Sequence, residues 1–197
     1  MVTPPSRSRR ADKSIELQIA QRDASLMDQR ERQLDKDRQY ERLSDTTGLK
    51  DDSLIARLIE LGFTPNKLAA LSFAPIAEVS WASGYVTKSE ERIASGSTFT
   101  PAMFVVQDAA DLFTSWLKQR PSATLWILWE DYTTTQLPKH DAARNMEFGR
   151  QLLDLATGVA MASGGFLDID RICVTEQKVL NRIARVYGLH DAVKQID

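Results

Sequence analysis

From Asp51 onward, apolar residues recur every three or four positions, in runs separated by Gly or Pro. That period is a helical one, and clear period-two runs, the mark of half-buried strands, are absent. "DDSLIARLIELG" puts Leu54, Ile55, Leu58 and Ile59 on one face and ends at Gly62, a natural C-cap. Thr64-Pro65 predicts an N-cap followed by Pro at the first helical position. The next run holds Leu68, Leu71, Ile76, Val79 and Trp81, with Pro75 inside it, so a kink or short break is expected there. Pro101 opens a further run carrying Val105, Ala109, Leu112, Phe113, Trp116 and Leu117. Pro121 precedes Leu125, Leu128, Trp129 and Tyr132, and Pro138 precedes a long helix over roughly 140–162. A last helix over about 174–187 carries Val179, Leu180, Ile183 and Tyr187 and stops at Gly188. "ATLWILWE" is the one rival for a strand, and its flanks favour helix. The expectation is an all-α bundle of six or seven helices.

The first 50 residues differ. They carry a net charge of +2 against −4 for the remainder. Residues 1–10, with Pro4 and Pro5 among Ser and Arg, read as a disordered tail. Residues 11–45 read as a charged helical extension, since 11–43 lack Gly and Pro, with Ser44–Gly48 as the linker and the globular domain over 46–197. Ile15, Ile19, Leu26, Met27 and Leu34 form a thin apolar stripe, too irregular for a coiled coil. Residues 11–43 are therefore either a solvated helix or a surface for a protein partner or self-association. The near balance of charge speaks against nucleic acid. No stretch of about 18 apolar residues predicts membrane insertion, and no apolar run follows the basic N-terminus as a secretory leader requires.

Two helix joints repeat. Ala82-Ser83-Gly84 returns as Ala162-Ser163-Gly164. Each is followed by a β-branched residue and a Glu four positions later, Val86 to Glu90 and Ile172 to Glu176. Thr87 and Glu90 have the spacing of a capping box. The equivalent N-cap in the second joint is Cys173, a poor capper, which points to Thr175 instead.

These joints resemble those of the tellurite-resistance TerB-like family, which has two helix–turn–helix halves. Trp81, Ala82, Gly84, Val86 and Glu90 match the first joint, and "MASGGFLDIDRICVTEQKVLNRI" is similar to the closing segment. The resemblance spans roughly residues 50–190. It implies a link to stress responses to tellurite, other toxic oxyanions or phage, and divalent-metal binding by acids near the joints. The acid that usually precedes the glycine of the first joint is Ser83 here, which removes a charged oxygen ligand. The candidate metal positions are Glu90, Asp168, Asp170 and Glu176. Asp168 and Asp170 share an i, i+2 spacing, without the Gly and distal Glu of a full calcium loop.

Catalytic patterns are absent. His140 and His190 belong to no metal or nucleophile motif, and Cys173, between Ile172 and Val174, reads as a buried inert thiol. A single cysteine excludes an intramolecular disulfide framework and fits a reducing compartment. Trp116, Trp126, Trp129 and Tyr132 read as core, with one of the two rings flanking Leu128 a candidate for exposure. The expectation is a cytoplasmic, non-enzymatic, stress-associated module that binds a divalent cation or small ligand through the joint acids. The alternative is a protein-interaction or scaffolding module that uses residues 11–43.

Overall fold

The computed structural model describes residues 7–96, 106–163 and 172–189, with the side chains of 18–96, 106–162 and 172–189. Among them there are nine α-helices, two short 3-10 turns and no strand. The chain divides into two units, Met1–Gly48 and Leu49–Asp197.

The described part of the first unit is formed by one helix, α1 (Arg7–Thr47). It begins within the segment expected to be a disordered tail and runs through the expected linker. Polar pairs one turn apart support it: Arg32 with Asp28 at 2.6 Å, Arg38 with Asp35 at 3.3 Å, and Gln33 with Asp37 at 2.8 Å. Gly48, at φ +61°, ends it by donating its N–H to the Ser44 carbonyl.

In the second unit, α2 (Asp52–Glu60) starts at Asp51, whose carboxylate accepts from the Ser53 and Leu54 N–H groups. The expected break near Pro75 is a full interruption. A 3-10 turn (Pro65–Lys67) runs into α3 (Leu68–Leu71), and α4 (Ala74–Ser80) starts afresh with Pro75 in its first turn, where no N–H is missed. This accounts for the larger number of helical pieces. Then come α5 (Lys88–Gly96), α6 (Gln107–Lys118) and α7 (Ala123–Gln136). A 3-10 turn (Leu137–Lys139) leads into α8 (Ala142–Ser163), and α9 (Val174–Val186) closes the fold. Pro101, expected to open α6, lies outside the described residues, as do Asp168, Asp170 and His190.

Helix α8 is the hub, with α4, α5 and α9 packed on it. A second layer of α2, α6 and α7 meets α4 and its neighbours around Phe63, Phe73, Phe113 and Trp129. Phe73 and Phe113 meet at 5.7 Å between ring centroids, and Phe63 meets Trp116 at 6.1 Å. Helix α7 is covered on more than one face. Leu125, Trp126, Leu128 and Trp129 are all buried, so neither tryptophan presents an open ring. Trp126 stacks on Trp129 at 4.7 Å, and the Arg182 guanidinium lies 4.8 Å from the centre of the Trp126 ring while pairing with Glu130.

Two glycines of α8 differ in what they permit. A Cβ on Gly149 would lie 2.5 Å from Cγ of Tyr187, so this residue lets the α9 tyrosine rest on the helix backbone. A Cβ on Gly158 would meet its nearest neighbour, Cγ2 of Ile93, at an ordinary 3.8 Å. Gly inside a helix costs roughly 0.5–1 kcal/mol relative to Ala, so Gly158→Ala is expected to raise stability by about that amount. Gly149→Ala is expected to lower it by about 1–3 kcal/mol, because overpacking outweighs the helix preference. Urea unfolding of both variants checks the opposite signs.

Candidate functional site

Each of the two repeats opens a helix on a glutamate cap, and the charge of one glutamate acts on the other. At the first, α4 ends, and Gly84 at φ +102° turns the chain. The Ser83 hydroxyl donates to the Tyr85 carbonyl at 3.1 Å. Trp81 anchors this joint, its indole N–H donating to the Trp116 carbonyl at 2.7 Å. Helix α5 then opens on a reciprocal cap. Thr87 Oγ1 accepts from the Glu90 N–H at 3.2 Å, and Glu90 Oε2 accepts from the Thr87 N–H at 2.6 Å.

Helix α9 opens the same way. Glu176 Oε2 accepts from the Cys173 N–H at 2.7 Å, and Cys173 Sγ accepts from the Glu176 N–H at 3.5 Å. The capper is thus Cys173 and not Thr175. Thr175 instead places its hydroxyl 2.9 Å from the Cys173 sulfur. Nor is the thiol a buried inert one: Cys173 is half-buried at a helix start. Sulfur accepts a longer and weaker bond than a hydroxyl oxygen, so the Glu176 half of the box carries more of this cap.

Both carboxylates are removed from solvent, Glu90 at 0% exposure and Glu176 at 1%. Capping normally leaves a glutamate at the surface, so helix capping accounts for their role at α5 and α9 but not for their burial. Oε1 of Glu90 is fully buried and has no hydrogen-bond partner. Burial pushes the Glu90 carboxyl above the usual carboxylate range, the Thr87 N–H and hydroxyl pull it back in part, and the charge of nearby Glu176 pushes it further up. Two acids 86 positions apart are therefore electrostatic neighbours in a dry setting, on helices that both pack against α8.

Of the four expected metal positions, Glu90 and Glu176 are both buried at helix starts, and the charge of Glu176 acts on Glu90. Asp168 and Asp170 lie outside the described residues. Among the described residues, no group of three or more His, Cys, Asp or Glu converges. A hard cation seated on the two glutamates would take its remaining ligands from carbonyl oxygens or water. Among the described residues, no helix is long and apolar enough to cross a membrane. No known protein family, curated protein or solved structure matches the chain.

The raised Glu90 value has a definite sign in stability. Its proton is held more tightly in the folded than in the unfolded chain, so its contribution is complete below the ordinary carboxylate range and is lost as pH rises through its folded value. Glu90→Gln retains an oxygen for the Thr87 N–H and cannot ionise. In chelator-treated protein, the loss of melting temperature between acidic and neutral pH is expected to be smaller in Glu90→Gln than in the wild type. Equal losses would show that Glu90 ionises as readily folded as unfolded.

Proposed function

We propose that this protein is a non-enzymatic, TerB-like binding module of the cytoplasm, associated with stress responses, in which Glu90 and Glu176 together take a divalent cation. The observation that carries this reading is the buried, unpartnered Oε1 of Glu90 beside a second buried carboxylate. An oxygen in that position needs a proton, a water or a cation, and two neighbouring acids in a dry setting favour positive charge between them. The joint motif around Trp81, Gly84 and Glu90 supports the family reading, and Ser83 turns away from a ligand role by bonding to its own turn. Thermal melting with Mg²⁺, Ca²⁺, Mn²⁺ or Zn²⁺ tests the proposal. A ligand that binds only the folded chain raises the midpoint with concentration. At least one ion is expected to do so in the wild type and to lose most of its effect in a Glu90→Gln, Glu176→Gln double variant. Flat midpoints with every ion at millimolar concentration, or an equal rise in the double variant, contradict it.

A second reading, association through the N-terminal helix, rests on α1. Ile19, Leu26, Met27 and Leu34 stand exposed on it, Met27 at 70%. Apolar side chains in such a row suit a helical partner or a second copy of α1. Sedimentation of the full chain is expected to show a concentration-dependent dimer that Leu26→Glu with Leu34→Glu abolishes. A monomer at all concentrations contradicts self-association.

A further inference from the structure

A separate concavity of about 680 Å³ opens where α7, α8 and α9 meet the turn between α3 and α4. Its size falls in the range of small-molecule sites, about 300–1,000 Å³. Its composition is selective. Tyr132, Phe148 and Tyr187 supply flat apolar walls, and His140 and Arg144 stand at the exposed rim. Among the described residues, no Asp or Glu lines it. Among the described residues Arg144 has no ion-pair partner, and Asp141, the acid next to the rim, instead accepts the Arg144 backbone N–H at 2.9 Å as the cap of α8.

The cleft is built before any ligand arrives. The Asn145 amide donates to the Leu137 carbonyl at 2.7 Å, which fixes the 3-10 turn that delivers His140. Gly149 lets the Tyr187 ring lie on α8, where it meets Phe148 at 5.9 Å. Burial holds both phenols neutral, with Tyr187 bonded to Thr133 and Tyr132 to Gln136. A cationic fork with no acid paired to it among the described residues, lining one cleft with neutral aromatic walls, suits a planar apolar body that ends in a carboxylate.

We propose that this cleft binds a small aromatic carboxylate, with Arg144 taking the carboxylate and Tyr187, Phe148 and Tyr132 the ring system. The site is independent of the glutamate pair. Calorimetric titration of the full chain with 2-naphthoate, and with its neutral counterpart 2-naphthamide, tests it. Naphthoate is expected to saturate at sub-millimolar concentration and the amide to bind about tenfold more weakly, as the loss of one charge-assisted contact implies. Arg144→Ala, at an exposed position that leaves the core intact, is expected to weaken naphthoate about tenfold and leave the amide unchanged. Glu90→Gln is expected to change neither. Absence of saturable binding at millimolar naphthoate, equal affinity for acid and amide, or unaltered affinity in Arg144→Ala each overturns the proposal.

Discussion

Two glutamates buried at two helix starts are the constraint on which the α5–α8–α9 packing turns. Each accepts a backbone N–H that would otherwise be stranded at the head of a helix, Thr87 for α5 and Cys173 for α9. Each is needed locally, and neither reaches water. Because α5 and α9 both pack on α8, the charge of Glu176 adds to the burial that raises the Glu90 carboxyl. A surface cap would have avoided this. The two glutamates occupy positions that the internal repeat makes equivalent.

The rest of the domain is arranged around α8. Small residues on this helix decide how near its neighbours come. Gly149 admits Tyr187 from α9, and Gly158 faces Ile93 from α5 at ordinary contact distance. Close approach of Tyr187 shapes the floor of the aromatic cleft, while the far ends of the same helix–helix contacts position the glutamates. One helix thus supports both the pair of buried glutamates and the aromatic cleft.

Much of this was legible in the residues. Helical spacing and the Gly and Pro punctuation identify the all-helical class, and the Thr87 to Glu90 spacing announces its capping box. The repeat of Val86–Glu90 as Ile172–Glu176 pairs the two acids before any geometry is known. Their burial was not legible, because a capping glutamate is ordinarily exposed and nothing local separates the two cases. Cys173 departs from the usual preference for hydroxyl cappers, because the Glu176 side of the box is strong enough to tolerate a sulfur. The tryptophans that read as core are core, and the candidate exposure of one ring does not occur because α7 is covered on several faces, with Arg182, 56 positions from Trp126, supplying part of that cover. The cleft is not legible for a related reason: Tyr132 lies on α7, Arg144 on α8 and Tyr187 at the C-cap of α9, and each alone reads as ordinary core or surface.

The central claim is that Glu90 and Glu176 form one coupled acidic site poised for positive charge. Side-chain carboxyl carbon NMR of Glu90, followed through a pH titration with and without a divalent cation, reads this directly. The account predicts a Glu90 titration above the ordinary carboxylate range in chelator-treated protein, moved down in Glu176→Gln and moved down again when the cation is added to the wild type. An ordinary titration of Glu90, indifferent to both Glu176 and the cation, would contradict it.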